Sequence, residues 1–566
     1  MFTGSEAAEA IGVIAVGSVD NTQIPEISSI YQYSVNNKPA GGFHVQQSEM
    51  PIKDVELPLY AINLSSAVAD DACNSLPDDT PDLSNKIVLV RRGGCTFTQK
   101  AQNVASKGAK YLLLYNNKAG LLQNAGVPPL TGIAMTRAAE GEQFVKLLAA
   151  GSNIVLSFTN STSAFRTAPN NITGGYMSTY SSWYPTNEAY IKPEISGPGG
   201  NILSTVPLAL GKYAVISGTS MATPFVAGVV GLIRQARPEL QSDAIRAIIG
   251  STGTPVKFNN GVKTSDFLAP IFQQGGGLVN ALKAITSSTV LDVANLALND
   301  TANFIPNHTF SITNRGSKAI TYSFSNTDAA TALTLDANYT AIPVVEFPEL
   351  TTIAAVTVAF EQQSVSVGAG ETVKVNVNFS PPTGLDDKRI PVYGGYINIK
   401  GSNGDTLNLP YGGIASCLKD ASVLSFAANG TPVLKMASNL NGTSLEPNTS
   451  FTISKDNPNA DLPALITDLT MGSALLRADL IPRPGTANTT TVLGVETLGS
   501  IAGFPVEYQP RNGRFNSIFD GKLSDGTYAP AGNYTILVRA LRIFGDRSKA
   551  GDYDEQKTVP FSINYV

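Results

Sequence analysis

The chain has 566 residues, 43% hydrophobic and 15% charged, with a formal net charge of −5. That length calls for several domains, and the composition suits packed ones. A mildly negative chain without a Lys/Arg block argues against nucleic acid or an anionic membrane surface as partner, and no apolar run reaches the ~18 residues of a membrane span.

In chain order, Met1–Glu6 has neither a basic end nor an apolar core, so it is no signal peptide. Ala10–Asp20 is an apolar run that predicts a strand buried on both faces. The character changes from about Pro51 to Thr159. There Ile87–Val90 predicts a short buried strand, Lys100–Ala109 a helix stopped by glycine, and Tyr111–Asn117 a second strand. Three cysteines make no disulfide scaffold, although Cys73 and Cys95 could pair and leave Cys417 free. Asn-x-Ser/Thr sites at Asn63, Asn160, Asn171, Asn299, Asn307, Asn338, Asn378, Asn429, Asn441, Asn448, Asn488 and Asn533 favour a secreted glycoprotein.

Gly218-Thr219-Ser220-Met221-Ala222-Thr223-Pro224 precedes an apolar run in which Val226, Val229, Ile233 and Ala236 fall on one helical face. Pro224 fits a helix if it lies in the first turn. Ser220 then stands at the helix N-terminus, where free N–H groups and the dipole favour negative charge on an attacked carbonyl. Gly228 and Gly231 let the helix approach a neighbour closely. Glycines 275 to 277 predict a turn into the last helix of this part. Beyond about residue 290 the period becomes two. Ile320, Tyr322 and Phe324 alternate with polar or small residues, as do Val373, Val375, Val377 and Phe379, and a Ser402–Asp405 turn separates Tyr396–Lys400 from Thr406–Leu409. These are hairpins of an antiparallel sandwich. A further β module starts near 420, clearest at Tyr534, Ile536 and Val538 and at Val559, Phe561, Ile563 and Tyr565.

The seven residues 218–224 resemble the serine motif of the subtilisin-like serine proteases (subtilases), Gly-Thr-Ser-Met-Ala-x-Pro. Ala10–Asp20, Gly174–Trp183 and Lys192–Ile202 also look like subtilase segments, with Glu194, Gly197 and Phe225 departing from the usual aspartate, alanine and histidine. Arg91-Arg92-Gly93-Gly94-Cys95-Thr96-Phe97 resembles the protease-associated (PA) insert of large subtilases, and the following β region a fibronectin-III-like domain. The resemblance implies a partial α/β subtilisin-like parallel-sheet domain interrupted by an α+β PA domain, followed by antiparallel β-sandwich domains. The implied boundaries are 1–50 and 160–290 for the catalytic pieces, 51–159 for the PA insert, 291–420 for the sandwich and 421–566 for the last module. It implies a secreted or cell-wall endopeptidase acting on protein or peptide substrates through an acyl-enzyme on Ser220.

A serine hydroxyl needs a base, and the family supplies a histidine held by an aspartate. The only histidines are His44 and His308. Neither lies in a His-Gly-Thr-His-type run, and no aspartate lies in an Asp-Ser/Thr-Gly setting. The family's acid, base and oxyanion asparagine all belong upstream, so the expectation is a truncated protease that is inactive alone, its Ser220 helix exposing apolar surface. No cofactor is implied. Calcium is common in the family, but no compact acidic loop stands out here. The alternative is a pseudoprotease that binds partners through its PA and sandwich domains.

Overall fold

The computed structural model describes residues 1–566 except 5, 118–125, 209–211, 343–345, 353–354, 425–432, 441, 455–461, 484–488 and 512–513. The sequons at Asn429, Asn441 and Asn488 lie outside the described residues. Two compact units divide the chain. One comprises 1–18, 176–197 and 222–566, the other 19–175 and 198–221.

In the second unit seven strands close a barrel. After a short helix α1 (Glu6–Glu9) and strand β1 (Val16–Asp20), the barrel strands are β2 (Gln23–Val35), β3 (Lys38–Gln47), β4 (Glu56–Ala61), β5 (Ile87–Arg91), β6 (Tyr111–Tyr115), β7 (Gly132–Thr136) and β8 (Ile154–Pro169). Their order is β2-β3-β7-β6-β5-β4-β8. The neighbours among β4 to β7 run parallel and the remaining pairs antiparallel. Asn36 and Asn37 join β2 to β3 with φ of 50° and 60°, the left-handed pair a two-residue hairpin needs. The barrel thus draws strands from Gln23 to Pro169, beyond the 51–159 stretch at both ends; the far part of β8 is exposed almost throughout and carries no alternation that marks it as strand.

β5 shows why Ile87–Val90 reads as a buried run. Ile87 and Leu89 face a core with Phe43, Phe144 and Phe158, while Val88 and Val90 face a second core with Leu112, Leu114, Ala101 and Val104. In the first core the Phe43 ring lies 5.5 Å from Phe144 and 5.7 Å from Phe158, edge to face. The helix expected over Lys100–Ala109 is α2 (Phe97–Ala105). It starts earlier because the Thr96 side chain caps it, accepting the Gln99 N–H at 3.2 Å. It stops short of Gly108, where φ is +85°. Helix α3 (Ala138–Ala149) packs its buried Phe144 and Val145 into the first core. Cys73 and Cys95 are bonded and Cys417 is free.

In the first unit the run from Ala10 becomes strand only at Val16. Gly12 turns the chain with φ of +82°, leaving Ile11 77% and Val13 41% exposed, so the segment before β1 is a loop rather than a strand buried on both faces. β1 pairs with β9 (Ile195–Gly200); the hairpin β10 (Ile202–Thr205) and β11 (Tyr213–Ile216) that follows belongs to the second unit, as does Ser220. Helices α4 (Thr219–Ala236) and α5 (Ser242–Thr252) share a core in which Val226, Val229 and Ile233 meet Ile195, Ile245, Ile248 and Ile249. The glycine turn is built as expected. A Cβ on Gly277 would stand 2.2 Å from the Thr254 carbonyl oxygen, and Gly277 has φ of +90°. Asn280 then caps the helix Ala281–Thr286.

The sandwich pairs two sheets. One has four strands in the order 289–291, 307–314, 372–380, 357–360. The other runs 296–299, 406–414, 391–401, 320–328, 364–367, with 331–333 and 349–351 attached. Pairing is antiparallel apart from Leu296–Asn299 beside Thr406–Ile414. Phe310, Ile312, Tyr322, Phe324, Val375 and Phe379 fill the core, the alternation read from the sequence. The last module holds a sheet ordered 449–453, 561–565, 532–541, 473–482, 506–509, with 553–557 paired to the third strand, and a three-stranded sheet of 433–436, 463–468 and 514–518.

Within the first unit, polar contacts tie the sandwich to the preceding α/β part. The Tyr396 hydroxyl donates to the Gly275 carbonyl at 2.7 Å and Asn408 to the Gly253 carbonyl at 3.0 Å. Asp405 Oδ2 accepts the Ser288 N–H at 3.1 Å and the hydroxyls of Thr289, Ser288 and Ser287 at 2.7, 3.0 and 3.3 Å. Burial works to raise the Asp405 pKa, but the side-chain hydrogen bonds from Thr289, Asn403, Ser288 and Ser287 outweigh it and hold the carboxyl below its ordinary value. A depressed carboxylate contributes stability above its unfolded pKa of about 3.9 and loses it as pH falls through the lower folded value. Asp405→Asn is therefore expected to cost about 1–3 kcal/mol at pH 7, with a difference that shrinks as pH falls below the unfolded value of about 3.9, measured as the shift in urea midpoint.

Candidate active site

Ser220 is the second residue of α4 and is exposed. The chain reaches it from β9 through β10 and β11, and two bonds fix the approach. Gly218 donates its N–H to the Gly199 carbonyl at 2.9 Å, and Asn201 donates its N–H to the Ser217 hydroxyl at 2.9 Å. Gly218 then accepts the Met221 N–H at 3.0 Å, which closes the first turn. The opening N–H groups of α4 have no carbonyl four residues back within the helix, and that of Met221 is taken by Gly218. Among the described residues no side chain hydrogen-bonds the Ser220 Oγ.

Pro224 is the sixth residue of α4, in the second turn rather than the first. It has no N–H for the Ser220 carbonyl four positions earlier, so the proline frees a group of Ser220 itself. Val226, Val229 and Ile233 are buried as the spacing predicts, but Ala236 is exposed. Gly228 and Gly231 do not serve a close helix contact, since a Cβ at either meets nothing within 4 Å. They lie on the solvent face with Phe225 and Leu232, each 49% exposed. Close packing occurs instead at Gly197, where a Cβ would stand 3.0 Å from Val226 Cγ2 and 3.2 Å from the Ala222 carbonyl oxygen.

Neither histidine hydrogen-bonds Ser220, and the Nε2 of His308 is buried without a hydrogen-bond partner. His44 lies on β3, its Nδ1 2.7 Å from Glu140 Oε1, which also accepts the His44 backbone N–H at 3.0 Å. The other oxygen of Glu140 accepts the Thr136 hydroxyl at 2.7 Å. His44 is thus a strand histidine tied to the first turn of α3. His308 lies in the sandwich with its ring 5.7 Å from Phe379. Burial lowers its pKa, and a hydrogen bond to the Ile305 backbone works the other way. Among the described residues no group of three or more His, Cys, Asp or Glu could hold a metal ion.

The sequence did not disclose the buried cluster behind β1. Lys192 Nζ donates to Glu194 Oε1 at 2.7 Å, to the Val13 carbonyl at 2.7 Å and to the Ala10 carbonyl at 3.2 Å. Glu194 Oε2 accepts the Ala15 N–H at 2.8 Å, and Arg246 stands 3.9 Å from Oε1. Burial raises the Glu194 pKa, against the pull of Lys192, the Ala15 N–H and Arg246. The pair fastens the loop entering β1 to the segment entering β9. Its only sequence signal is Lys-Pro-Glu, two opposite charges ahead of an apolar strand.

An α/β region presenting a serine at a helix N-terminus, followed by β-rich modules, defines a multidomain α/β plus β-sandwich protein. Residues 3–277 match the subtilase family and 296–412 match an Fn3-like domain. The chain therefore carries a subtilase (peptidase S8) domain followed by an Fn3-like one. It is similar to the minor extracellular protease Vpr of Bacillus subtilis, 31% identical over 266 residues, covering 44% of this chain and 31% of that protein. It is also similar to the PII-type proteinase of Lactococcus lactis subsp. cremoris, 26% identical over 556 residues, covering 86% of this chain and 27% of the other. A C5a peptidase of Streptococcus pyogenes is 34% identical over 217 residues, covering 37% of this chain and 17% of the relative. The chain thus spans about a third or less of the length of these relatives. Among the described residues no helix is long and apolar enough to cross a membrane.

Proposed function

We propose that the chain is the serine-bearing part of a secreted subtilisin-like endopeptidase that hydrolyses protein substrates through an acyl-enzyme on Ser220. The observation that carries this reading is the exposed Ser220 hydroxyl on the opening turn of α4 inside the seven-residue serine motif. The Ser220 N–H stands ready to donate to the oxyanion. On this reading the barrel is a PA insert, which moves its boundaries from 51–159 to about Gln23–Pro169. The catalytic pieces flank it up to about 290, the sandwich covers 291–420 and a last β module covers 421–566.

His44 is bonded to Glu140 and His308 is packed on Phe379, and neither hydrogen-bonds Ser220, so on this reading neither is assigned as its base. That also favours the second reading, a binding module acting through the barrel and sandwich. Fluorophosphonate labelling separates the cases. Chain 1–566 alone is expected to leave Ser220 unlabelled, and strong labelling there would show a base within it. A proteolytically active preparation from the source organism is expected to carry the label on the Ser220 peptide. Protease activity without that label overturns the assignment.

A further inference from the structure

The Cys73–Cys95 bond of the barrel unit has two unlike sulfurs. Cys73 is buried, 7% exposed, whereas Cys95 is partly exposed just ahead of the Thr96 cap of α2. Lys100, on α2 and fully buried, places its Nζ 3.4 Å from Cys73 Sγ and donates to the Asp71 carbonyl. A buried ammonium needs a reason to be there, and the groups facing it are few. The Asp70 and Asp71 carboxylates favour its charge and Arg91 opposes it, while burial, the largest influence, lowers its pKa. Asp71 is itself engaged, its Oδ2 accepting the Arg91 N–H at 2.8 Å.

We propose that Cys73–Cys95 is a thiol–disulfide exchange site for low-molecular-weight thiols, in which the thiol attacks Cys95 and Cys73 departs as a thiolate paired with Lys100. The incoming thiolate forms a new S–S bond to Cys95 Sγ, the Cys73–Cys95 bond breaks, and its electron pair leaves on Cys73 Sγ. The external thiol is the reductant, and a second equivalent releases Cys95 as a thiolate while forming the small-molecule disulfide. Exchange rates rise when the leaving thiol is more acidic and depend on which sulfur is reachable. Both factors select the same direction here, because the sulfur beside the ammonium is also the buried one.

The bond also has something to release. Between β4 and β5 the chain runs from Ile62 to Lys86 without strand or helix, and its Ala72, Leu76 and Leu83 cover the core holding Val88, Val90, Leu112 and Leu114. Cys73 fastens that cover to the Gly93-Gly94-Cys95 turn. Gly94 has φ of +76°, and a Cβ there would stand 2.6 Å from Asp70 Cα, so the turn and the cover are closely fitted. Cleavage of the one bond removes the covalent tie of the cover, leaving it held by the hydrogen bonds of Arg91 to Asp71, Gln99 to Cys73 and Asn103 to Ala72, while the barrel strands keep their own pairing.

The test treats the oxidised chain briefly with glutathione at pH 7, quenches in acid, alkylates and maps the peptides. Glutathione is expected on Cys95 and the alkyl group on Cys73; glutathione mainly on Cys73 overturns the proposal. In the fully reduced chain Cys417 is an internal reference, its thiol pushed up by burial and by Asp420. The alkylation midpoint of Cys73 is expected below the ordinary thiol value of about 8.5 and below that of Cys417; a Cys73 midpoint at or above 8.5 overturns it. Lys100→Met is expected to slow reduction about tenfold and return Cys73 to the ordinary range, and an unchanged rate counts against the pairing. If that variant does not fold, the two measurements on the unaltered chain decide.

Discussion

Ser220→Ala is expected to lower kcat about a million-fold in any preparation that cleaves protein, the loss that removal of the serine produces in subtilisin. The stability of the variant is expected to stay within about 0.5 kcal/mol of the parent. The two outcomes follow from one geometry. Ser220 is exposed, and among the described residues no side chain holds its hydroxyl. Deleting Oγ therefore opens no cavity and leaves no partner unsatisfied. The approach to the helix rests on the backbone bonds of Gly218 and on the Ser217 hydroxyl, which the substitution leaves alone. Casein hydrolysis and thermal unfolding of the same samples provide the check. Proteolysis that survives the substitution removes Ser220 from the chemistry, and a large loss of stability makes it a structural residue.

The parts of this site legible in the sequence share one property, a dependence on local spacing. Val226, Val229 and Ile233 announce the buried face of α4 because a helix repeats every three to four residues. Tyr322, Phe324, Val375 and Val377 announce the sandwich because a strand alternates. Asn280 and Thr96 cap helices by contacts three residues on. What stayed hidden depends on partners far along the chain. Ile11 and Val13 read as strand because their composition is apolar, yet their segment is bent by Gly12 and held by Lys192 from about 180 residues away. Gly228 and Gly231 suggest a close helix crossing, but a missing side chain marks room for a neighbour without showing whether one is there. The barrel boundaries were blurred for the same reason. β2 and β8 form the longest ladder of the barrel across more than a hundred residues, and their exposed outer stretches look like loop.

His44 and Glu194 differ in the same way. A histidine in Gly-Gly-Phe-His-Val reads as a strand residue, and it is one, but its carboxylate partner comes from the first turn of α3. That makes Glu140 serve two elements, since it also accepts the Arg137 N–H at 3.3 Å. Glu194 stands where the resemblance leads to an aspartate. Its extra methylene places a carboxylate where it accepts from Lys192 and from the Ala15 N–H at once.

Lys192→Met is expected to be the most damaging single change to the α/β part, costing about 3–5 kcal/mol at neutral pH. The ammonium is nearly inaccessible, its side chain 4% exposed against 1% for Glu194. Methionine keeps most of the volume but strands the carboxylate, and the Val13 and Ala10 carbonyls lose their donor. Arg246 at 3.9 Å offsets part of the loss, which favours the lower end of the range. Acidification gives a signed test. Burial already raises the Glu194 pKa, and removing Lys192 raises it further. A carboxyl with a raised folded pKa contributes stability that is full below its unfolded value and lost as pH rises through the folded one. The Lys192→Met deficit should therefore be largest at pH 7 and narrow as the solution is acidified through the raised pKa, where Glu194 takes up a proton. Lys192→Met combined with Glu194→Gln should recover part of the deficit at pH 7, because no uncompensated charge is left in the core. Urea midpoints of the parent and both variants at pH 7 and pH 5 decide the matter. A deficit independent of pH would assign the loss to the two carbonyls and the packing instead of to the charge.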